Sequence, residues 1–105
     1  MTEDSPTTTL AAVVRLAIAA VCRRYVSRCA EAVALRAQTA EEWRRVVDDV
    51  FDAHRRAILL LRPTLHAAAV AARLMAEGDA ETAARELAAV RGQTVEAWRE
   101  EVCGG

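Results

Sequence analysis

Apolar side chains recur along this chain at steps of three and four, and no stretch alternates with the two-residue period of a strand. A chain patterned this way buries its apolar surface by packing helices on one another, so the expected fold class is all-α, a bundle of four to five helices. The spacing predicts a first helix that starts within the Thr7 to Thr9 run, after Ser5-Pro6, and continues to about Ala37. Its inward stripe reads Val14, Ile18, Cys22, Tyr25, Val26, Cys29 and Val33.

The second helix has a sharp start signal. Thr39 suits the N-cap, Glu42 stands three residues later as the partner of a capping box, and Glu41 adds negative charge where the helix dipole favours it. The expected stripe is Trp43, Val47, Val50, Phe51, His54, Ala57, Ile58 and Leu61. The opposite face carries Glu41, Arg45, Asp48, Asp49, Asp52 and Arg56, with i,i+4 pairs such as Asp52 with Arg56 that read as solvated surface. Pro63 is expected to break this helix, since it removes a backbone donor and crowds the carbonyl four residues back. A stripe of Leu65, Ala68, Ala72 and Met75 follows in phase, so one long kinked helix is the alternative. Gly78-Asp79 is a stop followed by an N-cap, Gly92 is a second stop, and Thr94 caps a last short helix carrying Val95, Trp98 and Val102.

QTAEEWRRVV at 38–47 returns as QTVEAWREEV at 93–102. At an offset of 55 residues, 31–47 and 86–102 share nine identities in seventeen, among them Gln, Thr, Trp and Arg. This reads as an internal duplication of a helix, corner, helix unit. The implied organisation is a single helical domain over 1–105, with a disordered N-terminus at 1–7, repeat units at about 8–62 and 63–102, and a mobile tail at 103–105. In both copies Thr is placed to cap the outgoing helix, and Trp follows four residues later, where it can fold over the end of the incoming one. Thr39, Trp43, Thr94 and Trp98 are therefore expected to be corner residues rather than ligand contacts.

Composition narrows the function. With 105 residues, 53% of them hydrophobic, only four Gly and two Pro, the chain suits one compact domain with a core of its own. All fourteen basic residues are Arg, and Ala dominates the apolar set, a mark of GC-rich coding as in a high-GC bacterium. The apolar run Leu10 to Cys22 is thirteen residues long, too short for a hydrocarbon layer of about 30 Å. Glu3 and Asp4 before it are the wrong charge for a secretory leader. Three cysteines, an odd number, fit reduced thiols, so a cytoplasmic protein is expected.

Chemistry-bearing motifs are sparse. GxGxxG, GKS, GKT, GxSxG, HExxH and CxxC do not occur. Cys22, Cys29, His54 and His66 invite a metal site, but two cysteines seven apart on one helix have backbones about 10.5 Å apart and cannot share a zinc. No metal or other cofactor is expected, and Asp48, Asp49 and Asp52 share their face with arginines. His54, central in an apolar stripe, is expected to be a hydrogen-bonded core histidine. The alternative makes it a ligand-binding or proton-transfer residue in an interhelical pocket, with Tyr25 as companion. Residues 15–36 hold Arg15, Arg23, Arg24, Arg28 and Arg36 against Glu31, giving +4, while 93–105 hold Arg99 against Glu96, Glu100 and Glu101, giving −2. Arg23, Arg24 and Arg28 would be the phosphate contacts of a nucleic-acid-associated regulator, yet few aromatics and a slightly acidic total make nucleic acid an unfavoured partner.

What stands out is surplus apolar surface. Ile58, Leu59, Leu60 and Leu61 would be apolar on every side of a helix, more than a small bundle can bury alone. The sequence therefore points to a protein–protein interaction or oligomerisation module, an adaptor or scaffold without catalytic activity. Its expected partner is a second copy in a homodimer, or another protein, with no membrane role. Ile58 to Leu61 and the Arg23, Arg24, Arg28 patch are the expected interaction surfaces.

Overall fold

A computed structural model describes residues 9–104. Among them the chain forms six α-helices and no strand: α1 Leu10–Tyr25, α2 Arg28–Arg36, α3 Ala40–Arg56, α4 Arg62–Ala76, α5 Ala80–Val90 and α6 Val95–Gly104. The all-α expectation is met, with more helices than the four or five expected. The expected disordered stretch at 1–7 lies outside the described residues, while α6 runs through Cys103 and Gly104.

The extra helix comes from a break in the first one. Thr9 caps α1, its hydroxyl accepting from the Ala12 amide at 3.1 Å. The helix then stops at Tyr25 instead of running to Ala37, and Val26 and Ser27 leave helical geometry. Both of their amides donate to the Cys22 carbonyl at 2.9 Å, and the Ser27 hydroxyl caps α2 by accepting from the Ala30 amide at 3.0 Å. Serine competes with helical backbone in this way, and one serine is enough to re-aim the chain. The stripe resets accordingly. Val13, Val14, Ile18, Ala19 and Cys22 are buried, but Tyr25 and Cys29 face solvent and Ala30 and Ala34 turn inward.

Thr39 and Glu42 form the expected capping box. Thr39 Oγ1 accepts from the Glu42 amide at 3.1 Å, and Glu42 Oε1 accepts from the amides of Thr39 and Gln38 at 3.0 and 2.9 Å. The buried stripe of α3 is Trp43, Val46, Val50 and Ala53, rotated from the expected one, so Val47 and His54 are half-buried and Phe51 is exposed. Asp52 binds Arg56 at 3.1 Å and Arg55 at 2.8 Å on the solvated face.

α3 ends at Arg56, before the proline. Ala57 and Ile58 are extended, Leu59–Leu61 make one 3-10 turn, and Pro63 lies in the first turn of α4. Pro63 thus starts a helix instead of ending one, because the first helical amides have no intrahelical acceptor and a proline there loses nothing. α4 is central, packed against α3, α5 and α1. It buries Leu65 together with Ala67, Ala68, Ala69, Ala71 and Ala72, and these alanines are small enough to let neighbours approach from several sides. Gly78 and Gly92 end α4 and α5 with φ of 79° and 67°. In each case the following amide reaches back into the last turn, Asp79 to the Leu74 carbonyl and Gln93 to that of Ala88, and glycine takes the left-handed position without strain. Asp79 then caps α5 and Thr94 caps α6.

The two QT corners share their cap and their tryptophan, and Trp43 and Trp98 are both 2% exposed. They differ in the incoming helix, which ends at an extended Ala37 in the first and at the left-handed Gly92 in the second.

Candidate functional site

Side chains with reactive groups are scattered. Cys22 is buried in α1, and burial, with Asp49 and Glu31 nearby, pushes its thiol up to about 12. A thiol held neutral in this way is inert as a nucleophile or ligand. Cys29 and Cys103 are exposed on other helices. The two cysteines first in sequence are therefore on separate helices, and the separation argued from one continuous helix does not apply. Among the described residues no group of three or more His, Cys, Asp or Glu side chains gathers in a way that would hold a metal ion.

His54 is not a core residue. The rotation of α3 leaves it half-buried, its ring 6.2 Å from Phe51 edge-on and 5.9 Å from His66. Water therefore reaches the imidazole, and no buried partner is required. Tyr25 stands elsewhere, at the end of α1, in a groove of about 400 Å³ between α1, α5 and α6 whose walls include Leu16, Val90, Trp98 and Val102. His54 is not among the residues of that groove.

Shifted carboxylates belong to helix ends and surface pairs. The Gln38 and Thr39 amides hold Glu42 below the usual carboxylate range, the Thr82 amide does the same for Asp79, and Arg55 with Arg56 does so for Asp52. All three follow from hydrogen bonds to the charged form. Gln93, which opens the second QT corner, joins a surface cluster in which Glu101 accepts from Arg91 at 2.7 Å and from Gln93 at 2.6 Å.

Among the described residues the exposed large apolar side chains other than Phe51 fall in two places. The first is the turn between α3 and α4, where Ile58, Leu59 and Leu60 are 65%, 77% and 85% exposed, while Leu61 packs against the core. These residues lie outside any α-helix, so the expectation of an all-apolar helical segment is replaced by an apolar turn.

The second is the outward side of α1. Leu16, Ala20 and Arg24 follow one another at four-residue steps, and a groove runs on each side. One is the groove of Tyr25 and Trp98; the other, about 560 Å³ between α1 and α2, has Ala19, Arg23, Glu31 and Leu35 in its walls. Leu16, Leu35, Tyr25 and Val90, all exposed, border these grooves. Arg23, Arg24 and Arg28 are exposed at the same end of α1 and the start of α2. Leu16, Leu35 and Val90 were not singled out from the sequence. The available signal was Leu16, two positions off the inward stripe and hence on the far side of its helix.

Among the described residues no helix is long and apolar enough to cross a membrane. Compared with protein-family models, with curated proteins and with solved structures, the chain matches none of them.

Proposed function

We propose that the chain is a small helical interaction module that self-associates through the Ile58–Leu60 turn. The supporting observation is the exposure of three consecutive large aliphatic side chains in a chain whose buried core is complete without them. They leave on the order of 300–400 Å² of apolar surface in water, as large as the biggest patch on a typical monomer. A second copy is the occupant because the same patch on a twofold-related chain is complementary to itself.

The area also sets the strength. Two such patches face to face remove about 600–800 Å², short of the roughly 1,200 Å² at which stable complexes begin. The dimer is therefore a reversible one that forms with concentration. A shared His54–Tyr25 pocket is the less favoured reading, since Tyr25 borders a groove that does not include His54. Light scattering after size exclusion, run over a dilution series, tests the proposal: the mean mass should climb from one chain toward two as concentration rises. A mass of one chain throughout would refute it.

A further inference from the structure

The outward side of α1 is separate from the Ile58–Leu60 turn, and neither of its grooves includes a residue of that turn. Three observations meet there. Its surface is apolar along the ridge and in the groove walls, through Leu16, Ala20, Leu35 and Tyr25. Its cations are uncompensated: among the described residues Arg23 and Arg24 in the groove walls make no ion pair, nor does Arg28, which lies outside the walls but three and seven residues before Glu31 and Leu35 and so on the same face of α2, and Glu31 is the one carboxylate in those walls. One of the cations also stands where the fold disfavours it. Arg23 and Arg24 close α1, where the helix dipole welcomes positive charge, but Arg28 opens α2, where the dipole opposes it. Its presence there does not serve the helix.

Another groove among the described residues differs in charge. Around Val47 and Phe51, Arg44 and Arg73 are balanced by Asp48 and Glu77, so that surface has no preference of sign. The α1 side does.

We infer that the outward side of α1 receives an acidic amphipathic helix from a partner protein, its apolar stripe seated beside the Leu16–Ala20 ridge and its carboxylates on Arg23, Arg24 and Arg28. Ala20 at the middle of the ridge lets a second backbone come close, and the grooves on either side are shaped for side chains of a rod-like partner. A flat bilayer would touch the ridge and leave the grooves empty. Phosphates of a nucleic acid would satisfy the arginines but leave Leu16, Leu35 and Tyr25 facing water.

The test uses the full chain and two fluorescent synthetic helical peptides, with leucines at i, i+3, i+4 and i+7 flanked by glutamates in one and by lysines in the other. The glutamate peptide should bind at least about tenfold more tightly than the lysine peptide, and less well as salt is raised. Combining Arg23→Glu, Arg24→Glu and Arg28→Glu should reverse that preference, and Ala20→Glu, which obstructs the ridge, should remove binding of the glutamate peptide while circular dichroism stays helical. The inference is overturned if the glutamate peptide does not bind, if both peptides bind alike, or if its binding survives the three arginine changes. It is equally overturned if vesicles rich in phosphatidylserine or duplex DNA bind more tightly than the glutamate peptide and are released by the same three changes, which would identify a membrane or a nucleic acid as the occupant.

Discussion

The guanidinium of Arg15, in the middle of α1, reaches 22 residues along the chain to the carbonyl of Ala37, with Nη2 at 3.1 Å and Nε at 3.3 Å from the oxygen. Ala37 is fully buried and ends α2 in extended geometry, so this carbonyl has no helical donor and takes a charged one instead. One side chain thereby fixes the corner between α2 and α3 onto α1. Arg15→Met should keep the packing and lose the donors, lowering stability by about 1–2 kcal/mol in urea unfolding. Arg15→Lys should recover only part of it, because an ammonium lacks the planar fork.

The capping box predicts a local cost. Thr39→Ala removes the acceptor for the Glu42 amide and should cost about 1 kcal/mol, whereas Thr39→Ser should cost much less. Thermal melting of the two variants separates a capping role from simple bulk.

Acid should weaken the fold through Glu42, Asp52 and Asp79. Their folded-state values are depressed, so the stability they contribute is present above the unfolded carboxylate range and is lost as pH falls through it toward the depressed values. Melting temperature should decline as pH drops below about 4.5. Glu42→Gln combined with Asp79→Asn should start lower and show a flatter decline.

Cys22 gives the opposite sign at the alkaline end. Its thiol ionises near its ordinary value of 9.0 in the unfolded chain and only at about 12 when folded, so its contribution is full below the former and is lost between the two. The same burial predicts thiol chemistry. An aromatic disulfide reagent should titrate Cys29 and Cys103 in the native protein and reach Cys22 only in denaturant. Rapid reaction of all three in the folded chain would mean that α1 does not bury Cys22.

Small residues in α4 are expected to be intolerant of growth. Ala72 is fully buried on a helix flanked by α3 and α5, and Ala72→Leu should destabilise by about 1–3 kcal/mol through overpacking. Ala76→Leu, half-buried at the end of the same helix, should be milder.

Helix ends were legible in the sequence wherever local chemistry decides them. Thr39 with Glu42, Gly78 with Asp79, and Gly92 before Thr94 all carry out the roles their residue types imply. The break at Val26–Ser27 was hidden because apolar residues continue through it, and the only competitor for the backbone is a single serine hydroxyl. The face of α3 was ambiguous for a different reason. Val46 and Val47, like Val50 and Phe51, are neighbours, so two phases of the helix bury almost equal apolar surface. Packing on α4 favours the phase with Ala53 inward, and His54 moves to the margin as a result. Surplus apolar surface at Ile58–Leu61 was readable from composition, though its geometry as a turn was not. Of the α1 grooves the sequence offered only Leu16: one groove is walled by α1 with the sequence-distant α5 and α6, and the other by α1 and α2, whose facing sides depend on the break at Val26–Ser27.

Sedimentation of the wild-type chain beside a Leu59→Asp, Leu60→Asp double variant bears most directly on the role of the exposed turn. Both side chains face water, so the variant should melt like the wild type within about 0.5 kcal/mol of stability. The wild type should show a concentration-dependent monomer–dimer equilibrium, and the variant should remain a monomer at every concentration. A variant that dimerises as well as the wild type would contradict self-association through Ile58–Leu60.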